Sequence, residues 1–330
     1  MYKYLRDEIQ ELKNYDVNQV ECRIKLDANE GIDWMEGLNR YPDDYCTILR
    51  EMLATKLGVD NDELVFGNGS SELIEQVMRA YLDHDELVLS FSPTFAMYKI
   101  YTIINKGRYI DYPLENFQDL DVDGFIEFIH EQKPKIVLLC NPNNPTGSLI
   151  KEEDINKIVE ACDCMVILDE AYVEFAYENP PINIDKYKNL IILRTFSKAY
   201  SVAGIRLGYM IADKEIIGYI NRVRSPYNVS TLSYKYGIKA LENEKLAMKN
   251  TQLIVSERDR METEMSNMGL KPVPSSANFI FFTGPDGLAD SMLKDGVLIR
   301  AFGPEIYRIT VSTPEENNEA IRAMRRFMSK

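Results

Sequence analysis

Short runs of hydrophobic residues alternate along the chain with longer stretches in which hydrophobic positions recur every three or four residues. The short runs predict buried strands at 63–66, 86–91, 135–140, 165–169, 190–196 and 207–212. The longer stretches predict amphipathic helices, as at 70–82, 121–130 and 151–161. Such alternation is typical of a largely parallel sheet covered by helices on both faces. Ligands of such sheets bind at the carboxyl ends of the strands.

The pattern changes at about residue 225. Residues 231–268 predict helix without strand, followed by strands at 278–282, 297–301 and 306–312 and by helices at 285–294 and 314–328. This part predicts a smaller α+β unit. We therefore expect an N-terminal arm with part of the small domain at 1–40 and a large domain at 41–228. The small domain, with a long linking helix, is expected at 229–330.

Composition and charge narrow the class of protein. The 330 residues are 45% hydrophobic and carry a net charge of -14, which argues against nucleic acid or an anionic membrane surface as the main partner. The N-terminus is charged, and no apolar run approaches the ~18 residues that span a bilayer. The five cysteines and two histidines show no spacing that would support a metal site. A reduced, cytoplasmic protein without a metal is expected.

Glycines and hydroxyl residues follow the first predicted strand. Residues 67–72 read Gly-Asn-Gly-Ser-Ser-Glu and lead into a helix, and free N–H groups at a helix N-terminus bind anions. A dinucleotide-binding fingerprint is the alternative, but Glu72 occupies the position of its third glycine. A simple helix cap without a ligand also stays open for this segment alone.

Polar residues also follow the next strands. Residues 141–147, Asn-Pro-Asn-Asn-Pro-Thr-Gly, form a loop that two prolines make rigid and that offers three amide side chains. Asp169 lies where a buried strand leaves the sheet, so its carboxylate needs a cationic or hydrogen-bonding partner. A helix cap or a salt bridge would meet that need equally well.

Lys198 follows a buried strand and precedes a run of small residues that ends at Gly204, with Arg206 just beyond. An amine in a desolvated pocket near another cation has a lowered pKa and is a nucleophile toward carbonyl groups. Most lysines lie on the surface, which is the alternative. One ligand would satisfy all these loops: an aldehyde for Lys198, a phosphate, a basic ring nitrogen for Asp169 and a phenolic oxygen. These groups occur together in pyridoxal phosphate.

Four segments carry a family resemblance: Arg40-Tyr41-Pro42-Asp43, the 141–147 loop, Asp169-Glu170-Ala171-Tyr172, and residues 195–204 around Lys198. With them the chain resembles the class II pyridoxal-phosphate aminotransferases, and among these the histidinol-phosphate aminotransferases, from about residue 24 to the C-terminus. The resemblance implies the fold type I architecture. This is a large α/β domain with a mainly parallel seven-stranded sheet, plus a smaller α+β domain.

The resemblance implies a role for each matching residue. Lys198 would form the internal aldimine, Asp169 would hold the ring nitrogen protonated, and Tyr172 would contact the ring hydroxyl. Other cofactor contacts would come from Gly69, Ser70, Ser71, Phe95 (stacked on the ring), Asn144, Ser197, Arg206 and, from the neighbouring subunit, Tyr41. The substrate pocket would be lined by Asn29, Asn228, Arg300 and Arg308.

The implied reaction is transfer of an amino group from a phosphorylated donor, with histidinol phosphate expected, to 2-oxoglutarate. It would follow ping-pong kinetics in a homodimer with shared active sites. Arg300 and Arg308 suit such substrates because a guanidinium binds phosphate and carboxylate alike. Two other reactions on the same fold stay open: decarboxylation of a compound such as threonine phosphate, and transamination of aromatic amino acids. A regulator that senses the cofactor is disfavoured, because the chain has no basic DNA-binding extension.

Overall fold

The larger sheet is built from the hydrophobic runs of the first two thirds of the chain. The computed structural model describes residues 2–15, 17, 20, 22–177, 184 and 186–329. The strands are β1 Leu64–Gly67, β2 Leu87–Ser92, β3 Arg108–Pro113, β4 Ile136–Cys140, β5 Met165–Asp169, β6 Leu190–Thr195 and β7 Gly208–Ala212. Their order across the sheet is β1-β7-β6-β5-β4-β2-β3. Strands β2 to β6 pair in parallel, whereas β7 is antiparallel to both its neighbours. The predicted seven-stranded, mainly parallel sheet is confirmed.

Both faces of this sheet are buried, as continuous hydrophobic strands require. Val137, Ile167 and Ile192 in its central strands are at most 2% exposed. The helices of this unit are α1 Asp7–Glu11, α2 Thr47–Leu57, α3 Gly69–Tyr81, α4 Met97–Ile104, α5 Val122–Gln132, α6 Glu152–Ala161 and α7 Lys214–Val223. Short 3₁₀ helices lie at Tyr2–Tyr4, Asn61–Glu63, Val173–Phe175 and Ala203–Ile205. Because β4, β5 and β6 are parallel, their carboxyl ends lie at the same edge of this sheet.

The first residues pack on the large unit. Leu5 and Ile9 belong to the core around the seven-stranded sheet, and the Arg6 N–H donates to the Ala80 carbonyl at 3.0 Å. The predicted division into domains, with an arm and part of the small domain at residues 1–40, stays a prediction.

The smaller sheet is antiparallel and has the strand order β10-β11-β9-β8. Its strands are β8 Lys271–Val273, β9 Phe279–Thr283, β10 Arg300–Ala301 and β11 Ile306–Thr310. It packs with α9 Glu244–Asn267, α10 Leu288–Lys294 and α11 Pro314–Met328, and α8 Thr231–Glu242 precedes them. The predicted helix at 231–268 is interrupted at Asn243, which caps the C-terminus of α8 and whose side-chain amide donates to the Lys239 carbonyl at 2.8 Å.

Four helices (α1, α2, α4 and α7) and one strand (β3) of the large unit were not predicted. Strand β3 lies at the sheet edge beside β2 and has exposed or half-exposed residues, so its sequence lacks a buried run. Helices α2, α4 and α7 fall between segments that the hydrophobic pattern did identify. Across the described residues, no helix is both long and apolar enough to cross a membrane.

Candidate active site

A cavity of about 220 Å³ opens at the carboxyl ends of β4, β5 and β6. Its walls come from loops that are far apart in sequence, as expected for a parallel sheet. The lining residues are Gly69, Ser70, Ser71, Phe95, Cys140, Asn144, Asp169, Ala171, Tyr172, Thr195, Ser197, Lys198 and Arg206. All the residues predicted to contact the cofactor within one chain are therefore brought together in one place.

The N-terminus of α3 and Arg206 form one positively polarised wall of the cavity. Gly69 has φ +75°, and a Cβ atom there would lie 2.7 Å from Arg206 Nη2, so only glycine leaves room for the guanidinium. Arg206 Nη1 in turn donates to Ser197 Oγ at 3.5 Å. A Cβ on Gly208 would lie 2.4 Å from the Ser70 nitrogen, because β7 runs directly beneath this turn. Backbone N–H groups, hydroxyls and one guanidinium suit a phosphate.

Lys198 lies three residues beyond the end of β6 and is half-buried. Its Nζ atom is 5.3 Å from the centroid of the Tyr172 ring. Burial lowers the pKa of this amine, and the positive charges of Arg308 and Arg206 lower it further, against an opposing effect of Asp169. A larger share of the amine is therefore neutral, and nucleophilic, near neutral pH.

Asp169 ends β5 and is 3% exposed. Its Oδ1 accepts the Ala171 N–H at 3.1 Å, and its Oδ2 accepts the Tyr98 hydroxyl at 2.8 Å. Burial raises the pKa of this carboxyl to about 6, although the Tyr98 hydrogen bond acts in the opposite direction. Sequence reasoning missed Tyr98. The available signal was its position in the first turn of α4, three residues after Phe95.

The 141–147 loop sends one of its three predicted amides into the cavity. Asn141 bonds to the main chain of Ile150 through both side-chain atoms, at 3.1 Å and 2.7 Å. Asn143 donates to the Pro93 carbonyl at 2.9 Å and to Thr146 Oγ1 at 2.8 Å. Asn144 is left to line the cavity, so two asparagines hold the loop and the third faces a ligand.

The two arginines predicted to bind substrate come from the smaller sheet. Arg300 and Arg308 lie directly opposite each other in the β10–β11 pair. Each guanidinium lies near the Phe302 ring, at 5.9 Å and 5.5 Å from its centroid. Arg308 also donates a hydrogen bond to Asn144 Oδ1. Two like charges facing each other are unfavourable without an anion between or beside them, so this pair is suited to an anionic group.

Tyr41 and Asn29 line a different cavity, of about 560 Å³. The Tyr41 ring stacks on Tyr227 with centroids 4.5 Å apart, and its N–H donates to Glu30 Oε1 at 2.8 Å. Within one chain these two residues are thus separate from the Lys198 cavity. This arrangement is consistent with the prediction that Tyr41 serves a neighbouring subunit, which stays a prediction.

Asn228 is held in a hydrogen-bond network rather than at either cavity wall. Its amide nitrogen donates to the Phe66 carbonyl at 3.1 Å and to Glu72 Oε2 at 3.0 Å. Its amide oxygen accepts from Arg224 Nη1 at 3.0 Å. These contacts commit the side chain to supporting the start of α3, so its predicted role in substrate binding has no direct geometric support here.

Comparison with known proteins assigns the chain to a family. A model of the family "Aminotransferase class I and II" matches residues 13–324. The chain belongs to the class I and II aminotransferases. It is 39% identical to a histidinol-phosphate aminotransferase of Caldanaerobacter subterraneus subsp. tengcongensis, over 98% of this chain and 99% of that protein. The predicted family, fold and enzyme class are confirmed.

Solved aminotransferase-family structures share the architecture. A histidinol-phosphate aminotransferase from Sinorhizobium meliloti, in complex with pyridoxal-5'-phosphate, superposes with a TM-score of 0.81 at 25% identity, covering 88% of this chain and 83% of that one. An L-threonine-O-3-phosphate decarboxylase from Porphyromonas gingivalis superposes with a TM-score of 0.75 at 25% identity, covering 89% and 92%. The fold therefore accommodates both an aminotransferase and a decarboxylase.

Proposed function

We propose that the protein is a pyridoxal-phosphate-dependent aminotransferase that moves the amino group of histidinol phosphate to 2-oxoglutarate. The observation that carries the proposal is the convergence of Lys198, Asp169 and the α3 N-terminus on one cavity. The 39% identity to a histidinol-phosphate aminotransferase over nearly the whole chain supports the choice of donor.

The cavity fits pyridoxal phosphate by the chemistry of its walls. Gly69 leaves the space that Arg206 fills, and a Cβ there would close this phosphate cradle. Ser70, Ser71 and Ser197 add hydroxyls to the cavity wall, and Asp169 adds a buried acceptor. Phe95 lines the same cavity and would offer a ring face, and Asn144 and Tyr172 would offer hydrogen bonds to a ring hydroxyl. When bound, the cofactor supplies a carbonyl carbon for amines and a ring that accepts electrons.

Lys198 would perform the proton transfers of the reaction. Its lowered pKa favours the neutral amine, which can take a proton from the donor carbon and later return it to the neighbouring reacting carbon. Asp169 would hold negative charge against the ring nitrogen throughout. The low exposure of Asp169 keeps water from weakening that interaction.

Arg300 and Arg308 would hold the anionic end of each substrate. Burial lowers the pKa of Arg308, but a guanidinium still remains charged at neutral pH. The same pair could take the phosphate of histidinol phosphate in one half-reaction and a carboxylate of 2-oxoglutarate in the other. A ligand at Arg308 would have to share it with Asn144 or replace that contact.

The direct test of the reaction is an assay with histidinol phosphate as amino donor. We expect amino transfer that depends strictly on 2-oxoglutarate and gives parallel lines in double-reciprocal plots, as ping-pong kinetics require. Aromatic amino acids, which lack the phosphate, serve as comparison donors and should react with a lower kcat/KM. If aromatic amino acids reacted with a higher kcat/KM than histidinol phosphate, the protein would be an aromatic aminotransferase instead.

Threonine phosphate separates the aminotransferase from the decarboxylase. Histidinol phosphate has no carboxylate to lose, whereas threonine phosphate has one. We expect no carbon dioxide release from threonine phosphate in the absence of an oxo acid. Rapid release under those conditions would assign the protein to the decarboxylase branch instead.

We further propose that the enzyme is a homodimer with shared active sites. Several large apolar side chains in the segment that leads to Tyr41 are strongly exposed in the single chain, which is typical of an interface. They are Leu26 at 87%, Ile32 at 93%, Trp34 at 87% and Tyr41 itself at 55%. In the dimer, the Tyr41 hydroxyl would donate to the phosphate of the partner's cofactor.

Mixing two inactive or weakened variants tests the shared site. Tyr41→Phe should lower activity and Lys198→Ala should eliminate it, but a mixed dimer has one site with both residues intact. Unfolding, mixing and refolding the two variants should therefore raise activity per intact lysine above that of Tyr41→Phe alone. If heterodimers form without any gain, Tyr41 does not act in the partner's site.

A further inference from the structure

Tyr98 lies in α4 and contacts two residues of the proposed cofactor site from outside the cavity. It is fully buried, and its hydroxyl donates to Asp169 Oδ2 at 2.8 Å. Its ring packs edge-to-face on Phe95, with centroids 5.5 Å apart and planes at 88°. Asp169 and Phe95 both line the cavity, whereas Tyr98 is not among the lining residues.

We propose that Tyr98 is a positioning residue that fixes the Asp169 carboxylate toward the ring nitrogen of the bound cofactor. This inference rests on the proposed function. A carboxylate attached through one rotatable bond can turn its two oxygens in place. Here Ala171 N–H holds Oδ1 and the Tyr98 hydroxyl holds Oδ2, so the plane of the carboxylate is set by two donors. Without Tyr98, one donor would remain.

The helix that carries Tyr98 is itself well anchored. The Tyr98 N–H donates to the Phe95 carbonyl at 3.1 Å, and Thr102 Oγ1 donates to the Tyr98 carbonyl at 2.8 Å. Tyr98 and Thr102 are both fully buried. A rigid donor reduces the reorganisation that Asp169 must undergo when the cofactor binds. The hydroxyl is therefore placed to hold the carboxylate before the ring arrives.

Several titratable groups lie close enough to Asp169 to interact with its charge. They are Tyr98 on α4, Cys140 at the end of β4, Glu170 and Tyr172 after β5, and Lys198 after β6. Burial is the largest influence and raises the pKa of Asp169, the Tyr98 hydroxyl lowers it, and Glu170 raises it. Burial also raises the pKa of Cys140 to about 12, so this thiol stays neutral near pH 7.

The pH dependence of cofactor binding gives a readout that does not depend on turnover. The ring cation pairs with an ionised carboxylate, so affinity should fall as the pH drops through the pKa of Asp169. Tyr98→Phe removes a group that lowers this pKa, so the fall should begin at a higher pH. We expect a displacement of about one pH unit, the size expected for one hydrogen bond to a charged group.

Apo-protein is titrated with pyridoxal phosphate from about pH 5 to about pH 8, a range that brackets the Asp169 pKa of about 6. Tyr98→Phe keeps the ring against Phe95, and thermal melting checks that the fold is kept. Tyr81→Phe is the matched control, because Tyr81 is equally buried and its hydroxyl has no hydrogen-bond partner among the described residues. This control should bind the cofactor with the wild-type pH dependence.

A double-mutant cycle isolates the contact between the two residues. In an Asp169→Asn background there is no carboxylate to titrate, so Tyr98→Phe should no longer displace the pH dependence. An equal displacement in both backgrounds, or a Tyr98→Phe midpoint equal to that of Tyr81→Phe, overturns the inference. Failure of the wild-type protein to bind pyridoxal phosphate would be a different result, since it contradicts the proposed function itself.

Discussion

Replacing Lys198 with alanine should abolish amino transfer, with a loss in kcat of at least about 10⁴-fold. Among the described side chains that line the cavity, Lys198 carries the amine. The variant would therefore lack both a nucleophile and a proton carrier at the reacting carbon. Steady-state kinetics with histidinol phosphate and 2-oxoglutarate measure the loss.

Two comparisons make the Lys198 result specific. Lys198→Arg keeps the positive charge but not a neutral amine, so it should be as inactive as Lys198→Ala. Lys214→Ala removes an exposed lysine at the start of α7 and should leave kcat unchanged. Borohydride reduction should fix the cofactor covalently to the wild-type and Lys214→Ala chains but to neither Lys198 variant. Turnover near the wild-type rate in Lys198→Ala would remove the lysine from the mechanism.

The strands of the large sheet could be predicted because burial on both faces leaves continuous apolar runs in the sequence. Residues 136–140 and 165–169 are of this kind, and every residue in both is buried. Strand β3 could not be predicted, because an edge strand with half-exposed residues needs no such run. The break at Asn243 could not be predicted either, because it lies within a sequence that otherwise favours helix and its side-chain hydrogen bond to Lys239 leaves no mark in the hydrophobic pattern.

The candidate site could be predicted in part for a similar reason. Parallel strands deliver the residues that follow them to a common edge, so Lys198, Asp169 and the Gly69 turn could be grouped from their positions after strands. Side-chain direction could not be obtained in this way. The sequence offers the same amide side chain at three positions of one loop. The local hydrogen bonds of Asn141 and Asn143 decide that Asn144 faces the cavity. The contact between Tyr98 and Asp169 joins residues 71 positions apart.

Asp169→Asn should keep the fold and lose most activity, by about 10²-fold or more in kcat. The amide has nearly the shape of the carboxylate, and its oxygen can still accept the Ala171 N–H. Its nitrogen can donate to the Tyr98 hydroxyl, which then accepts instead of donating. Thermal melting should therefore show a folded protein, whereas the neutral side chain cannot hold a proton on the cofactor ring.

The pH dependence distinguishes the charge of Asp169 from its shape. Burial raises the pKa of this carboxyl to about 6 in the free protein, and a cationic ring beside it would favour ionisation and lower that pKa. Cofactor affinity in the wild-type protein should thus weaken on the acid side, whereas Asp169→Asn should bind weakly and without this dependence. Asp163→Asn, at a side chain that is 76% exposed, is the control and should behave as wild type. If Asp169→Asn retained wild-type turnover, the carboxylate would be a structural partner of Ala171 and Tyr98, and the charge on the ring nitrogen would have to be maintained by another group.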